Sequence, residues 1–234
     1  MPYTLNLEEV EGRWIAHVAD LPGAFASAAT QAAAIAQAPR AIVDYLAWSD
    51  LDGHGGPPAA EPLQPVCEVR EVIRAWEYAP DYEVNAFFAT DRPPLTEDDA
   101  ATARRLLYLT RAELLDAHLG VAPADLDHRF PGEERSINDL LRHVATGENW
   151  YLDRLGLAHE AVWEMADTLG RLFLARQQLL DALPHLVGDE RVEMANGELW
   201  SPRKIVRRAL WHEREHAAQV SALRARLKQE ARHV

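Results

Sequence analysis

A small α+β domain followed by an all-α four-helix bundle is the fold class this sequence predicts. Three observations lead to it. Near the N-terminus apolar residues alternate with period two, as in half-buried strands. From residue 96 onward the apolar spacing becomes the three-and-four repeat of amphipathic helices. Helix-start signatures then recur at Thr96-Glu97-Asp98-Asp99, Ser136-Ile137-Asn138-Asp139 and Ser201-Pro202. The expected domains are residues 1–95 and 96–234.

In the first domain, Tyr3, Leu5 and Leu7 alternate with Thr4 and Asn6 and predict a strand. Glu11-Gly12 marks a turn, Arg13–Val18 the returning strand, and Leu21-Pro22-Gly23 its end. Thr30 caps a helix expected to reach about Trp48, with Ile35, Ile42, Val43 and Leu46 facing inward. Pro39 lies inside that pattern and is expected to kink the helix or mark its true start. Residues 52–65 are rich in Gly and Pro and predict a loop. Val69–Tyr78 and Tyr82–Ala89 flank Pro80-Asp81 and predict a hairpin.

In the second domain, the first helix runs from Thr96 to about Leu119, with Leu106, Leu107, Leu114 and Leu115 on its apolar stripe. A second helix is expected from Ser136 to about Leu155, a third over His159–Leu183 and a fourth from Ser201 to about Gln229. Four helices of that length pack naturally as a bundle.

Composition narrows the function. The 234 residues are 48% hydrophobic and 26% charged, as in globular proteins. No apolar run approaches the roughly 18 residues of a membrane helix. The opening MPYTLNLEEVEGRW lacks the basic-then-apolar order of a signal peptide. Cys67 is the single cysteine, which excludes a disulfide framework and a cysteine-based zinc site. A cytoplasmic location is the expectation. The net charge of −13 works against nucleic acid as a partner, because displacing counterions needs positive surface.

The chemistry concentrates in Trp211-His212-Glu213-Arg214-Glu215-His216. His212 and His216 are four apart, so both imidazoles leave one helical face and can reach a common ion. The letters also match the zinc-protease pattern H-E-x-x-H, with Glu213 as the would-be base. The longer form of that pattern fails, because Gln219 stands where its glycine would be. His143, on the inner side of the second helix, is the best third ligand, and His118 the second choice. Three imidazoles leave a coordination position open, as catalytic sites do. Spacing alone leaves two readings: a metal site, or a solvated histidine pair. Trp150 and Trp211 can line the mouth of such a site as substrate-binding residues, or serve as packing. Glu213 and Glu215 can orient ring nitrogens, or face solvent beside arginines. Glu148 lies about 140° around the helix from His143, too far for a direct ligand.

Residues 96–230 resemble the DinB-like superfamily of metal-binding four-helix bundles. The matching stretches are GEERSINDLLRHVATGENWYLDRL and SPRKIVRRALWHEREHAAQVSAL. The family's triad of one helix-2 histidine and an H-x-x-x-H pair on helix 4 falls on His143, His212 and His216. The resemblance implies a divalent metal ion, with zinc and nickel foremost among the ions three imidazoles suit. It further implies a small-molecule substrate and a low-molecular-weight thiol such as mycothiol, bacillithiol or glutathione. The activities implied are those of metal-dependent transferases and isomerases, and the expectation is a metal-dependent S-transferase or a hydrolase. The family runs up-down-down-up, which needs a crossover between helices 2 and 3. Either residues 156–168 supply it or the topology differs. Residues 1–50 resemble the HicB-like antitoxin domain through YTLNLEEVEGRWIAHVADLPGAFASAAT and the helix QAAAIAQAPRAIVDYL. That resemblance implies a binding or dimerising module, and so an alternative: a non-catalytic regulatory protein that recognises a protein partner. A homodimer through either domain is compatible with both readings. No membrane partner is expected.

Overall fold

The computed structural model describes residues 1–50, 64–80 and 82–232. They form two compact units: Met1–Pro93 with Val192–Arg207, and Pro94–Arg191 with Arg208–Val234.

The first unit is α+β. Strands β1 (Tyr3–Val10), β2 (Arg13–Val18) and β3 (Phe25–Ala28) precede helix α1 (Gln31–Ser49), and β4 (Cys67–Arg74) completes a sheet of order β3-β2-β1-β4. The first two strands pair antiparallel, with Leu5 opposite Val18 and Asn6 opposite His17. Both faces of β1 are covered, since Leu5 and Leu7 are buried and so are the intervening Asn6 and Glu8. Hydrogen bonds offset the burial of these polar groups, except at Asn6 Oδ1, which has no partner among the described residues. Glu8 Oε1 accepts from the Ala86 amide at 2.6 Å, and its Oε2 lies 3.1 Å from His17 Nε2. Asn6 Nδ2 donates to Thr90 Oγ1 at 2.9 Å.

Two expectations for this unit need correction. The hairpin over residues 69–89 is shorter, with only β5 (Trp76–Ala79) and β6 (Tyr82–Val84) pairing in it. The preceding residues instead form β4, parallel to β1, because the outer edge of β1 needs a ladder partner that β2 cannot also supply. Pro39 does not mark the start of α1, which runs from Gln31 to Ser49 with Pro39 inside it. Most of the Gly/Pro-rich loop of 52–65, and Asp81 of the expected turn, lie outside the described residues.

A second hairpin, β7 (Glu193–Ala195) and β8 (Glu198–Trp200), also belongs to this unit. Its turn is Asn196-Gly197, both with positive φ (53° and 77°), the pairing that suits a two-residue hairpin. Glu198 of β8 and Lys204 are fully buried and paired at 2.7 Å, with Tyr82 Oη donating to the other Glu198 oxygen at 2.7 Å. Arg207 holds Asp91 through two contacts of 2.8 Å. Helix α6 (Pro202–Glu230) starts here as expected, with Ser201 Oγ accepting from the Lys204 amide at 3.1 Å.

The second unit contains α2 (Glu97–His118), α3 (Ile137–Asp153), α4 (Glu160–Glu164), α5 (Thr168–Leu186) and the remainder of α6. Reciprocal capping boxes open α2, between Thr96 and Asp99, and α3, between Ser136 and Asp139. The expected single helix over 159–183 is divided into α4 and α5. Asp167 accepts from the Gly170 amide at 2.6 Å and so starts α5 afresh.

Side-chain contacts give the helix directions. Along α3 and α5, Asn138 meets Thr168, Thr146 meets Arg171 and Glu148 meets Arg176, so the two run parallel. Thr110 meets Glu213 and Asp116 meets Arg224, so α2 and α6 are also parallel. The pairs Arg111–Leu172 and Arg104–Leu180 make α2 and α5 antiparallel. The bundle is therefore up-down-down-up. Residues 154–167 form the crossover, tied to α3 by Asn149, whose Oδ1 accepts from the His159 amide at 3.0 Å. Leu140, Leu141, Val144, Leu172, Ala175, Ala217 and Val220 lie in the shared core.

Candidate metal centre

Helix α3 presents His143 and helix α6 presents His212 and His216. Antiparallel packing of α3 on α6 brings the three together, and the four-residue step on α6 stacks its two rings on one face. Among the described residues these three form the one such ligand group, with one nitrogen from each lying within 4.8 Å of the others. His212 Nε2 is 3.1 Å from His143 Nε2 and 3.0 Å from His216 Nε2.

That geometry fits an ion better than hydrogen bonds. A neutral ring nitrogen has one proton or one lone pair and can satisfy one neighbour. His212 Nε2 meets two, so one contact is unfavourable unless a cation lies among the three. Ligands about 2.0–2.1 Å from a tetrahedral zinc stand about 3.4 Å apart, close to these separations. Protonation is not the remedy. Burial first, then the neighbouring His216 and Arg135 charges, lower the His143 pKa from 6.5 to about 4. Burial, then His216, His143, Arg208 and Arg135, also push His212 well below its ordinary value. Both rings are neutral near pH 7 and offer lone pairs.

Two residues that support the triad were not anticipated as such from sequence. Gln219 Oε1 lies 2.8 Å from His216 Nδ1. Nδ1 therefore donates to the amide oxygen, which leaves the Nε2 lone pair facing the other histidines. Gln219 follows His216 by three, one turn along α6, and that spacing is the signal that could have found it. Gly147 is the second. A Cβ there would stand 3.0 Å from His212 Cε1, so the glycine makes room for the ring. A glycine in the middle of a helix costs roughly 1 kcal/mol against alanine, which marks a place where a neighbour comes close.

The tryptophans differ in setting. Trp211 is buried, its ring centre 6.3 Å from that of His212, with the Arg208 guanidinium 4.4 Å from the Trp211 ring centre. Tyr151, not singled out from sequence, meets His212 edge to face at 5.7 Å. Trp150 packs against Tyr151 and beneath Arg154. His118 falls at the end of α2, where its Nδ1 lies 3.5 Å from the Leu114 carbonyl oxygen, and it is not among the three clustered histidines.

Glu213 does not face solvent. It is 1% exposed and accepts from Arg111 Nε at 2.5 Å, from Arg176 and from the Thr110 hydroxyl. Glu148 closes the lattice, accepting from Arg176 at 2.6 Å and from Arg111 at 2.9 Å. Burial pushes the Glu213 carboxyl up, but Arg111 and Arg176 outweigh it and hold the pKa below the usual range. A carboxylate so held is a structural anion. The base that the H-E-x-x-H letters require is occupied.

No family model matches the chain, and no curated protein matches it. Among solved structures it is similar to YfiT from Bacillus subtilis, described as a probable metal-dependent hydrolase with an unusual four-helix bundle topology. The identity is 20% and the TM-score 0.45, over 58% of this chain and 92% of that one.

Proposed function

We propose that this chain is a divalent-metal-dependent enzyme of the DinB-like kind, with the ion on His143, His212 and His216 and a low-molecular-weight thiol as co-substrate. The observation that carries the metal reading is His212 Nε2, in contact with two ring nitrogens at 3.0 and 3.1 Å when it can satisfy only one. Zinc and nickel are the ions of choice for three neutral imidazoles. When bound, such an ion supplies a Lewis acid that lowers the pKa of a thiol or water at its open position.

The chain's own residues favour the thiol. Glu213 is committed to two guanidiniums and cannot serve as general base. A thiol, with a pKa of about 8.5, needs far less help to ionise than water does. Gln219 sets the His216 tautomer, and Tyr151 and Trp211 close the apolar side of His212.

The test is a transfer assay on metal-loaded protein with mycothiol, bacillithiol and glutathione, each with an aryl halide as electrophile. Turnover with at least one thiol, lost in His212→Ala, is expected. No transfer from any of the three would overturn the transferase reading. One bound ion without turnover would favour the regulatory alternative.

A further inference from the structure

Beside the triad lies a cavity of about 470 Å³, within the size range of small-molecule sites. Its walls are the segment before α3, Leu140 of α3, and Gln219, Leu223 and Arg226 of α6. Gln219 is common to the two places: it lines the cavity and holds His216. Gln219 therefore links the cavity to the triad.

The charges in the cavity are unequal in their commitments. Arg226 pairs with Glu133 at 2.5 Å and lies 4.0 Å from the Phe130 ring centre. Arg135 also lines the cavity, and it makes no hydrogen bond or ion pair with any described residue. Leu140 lies one turn before His143 on α3 and Gln219 one turn after His216 on α6, so the cavity follows the triad along these two helices. Glu134 is the one carboxylate of the lining outside an ion pair. Deeper in, Arg111 and Arg176 already answer Glu148 and Glu213. An ion on three neutral imidazoles would keep its full positive charge. Arg135 is exposed on the cavity wall, and a guanidinium with open donors can receive an oxyanion, which it grips through two parallel bonds.

We propose that this cavity is the substrate pocket of the metal site and takes a small oxyanion, a carboxylate or a phosphate, on Arg135, with its hydrocarbon part against Leu140 and Leu223. This rests on the metal reading of the triad. The probes are hexanoate, hexyl phosphate and neutral hexanamide, titrated into cobalt-loaded full-length protein. Calorimetry and the visible cobalt spectrum report binding, and elemental analysis reports metal content. At least one anion is expected to bind ten-fold or more tightly than the amide. Arg135→Gln is expected to erase that preference while keeping the same metal content and melting temperature. Which anion wins distinguishes a carboxylate substrate from a phosphate. Equal binding of all three probes, or a preference that survives in Arg135→Gln, overturns the proposal and leaves the metal reading intact. Failure of the wild-type protein to hold cobalt overturns both.

Discussion

Gly147, His143 and His216 crowd His212, and substitutions in and around the triad test what it demands. Gly147→Ala would place a methyl 3.0 Å from His212 Cε1. It is expected to weaken metal binding about ten-fold or more while the melting temperature holds or rises, because alanine is the better helix former. Competition with a chromophoric chelator and a thermal melt together check this; unchanged affinity would mean the ring has room to spare. Gln219→Leu is expected to cost 10–100-fold in metal affinity, the usual effect of losing a partner that orients a ligand. Gln219→Glu, which keeps the acceptor, should recover most of it. The histidines also set a pH dependence for the metal-free protein. His143 titrates at about 4 when folded against 6.5 in the open chain, and His212 is likewise depressed. As pH falls, the unfolded chain takes up protons first, so stability is expected to fall between about pH 6.5 and 4. Urea midpoints across that window should show the slope, and His143→Gln should flatten it. The clustered histidines were legible because i, i+4 spacing and helical facing act within one element. Gln219 and Gly147 were not, because their roles depend on which rings α3 and α6 bring together.

At the scale of elements, the bundle is held by a buried lattice as well as by its apolar core. Thr110 and Arg111 of α2, Glu148 of α3, Arg176 of α5 and Glu213 of α6 connect all four long helices. Removing one partner of a buried pair leaves an uncompensated charge, typically at a cost of about 3–5 kcal/mol. Glu213→Gln is therefore expected to lower unfolding stability by several kcal/mol in chemical denaturation. A variant of unchanged stability but abolished turnover would instead make Glu213 a catalytic base. Sequence placed Glu213 between the paired histidines but left its burial open, since a glutamate between histidines reads equally well as a surface residue. The helix starts were legible from local capping chemistry at Thr96, Ser136 and Ser201. The parallel run of α3 and α5 was implied by the family resemblance but left open by the residues, because it follows from contacts such as Asn138–Thr168, thirty residues apart. Strand β4 was misread for a similar reason: its pairing with β1 spans more than sixty residues.

Over the whole molecule, chain order and compact units do not coincide. Val192–Arg207 groups with Met1–Pro93, and the turn at Gly197 shows why a tight contact forms there. A Cβ at Gly197 would come within 2.6 Å of the Tyr78 ring. Arg207 meanwhile answers the buried Asp91. A fragment of residues 1–95 lacks β7, β8, Lys204 and Arg207, leaving Asp91 buried without its partner. Such a fragment is expected to show no cooperative thermal transition by circular dichroism, whereas full-length protein should. Neither the β7–β8 hairpin nor its place beside Tyr78 was anticipated from sequence. Described helices include none long and apolar enough to cross a membrane. The central claim concerns the triad, and the most direct measurement is metal content by elemental analysis of untagged protein beside His143→Ala, His212→Ala and His216→Ala. About one ion per chain in the wild type, lost or sharply reduced in each variant, is the expected result. No ion after loading with zinc and with nickel, or an ion indifferent to all three substitutions, would contradict it.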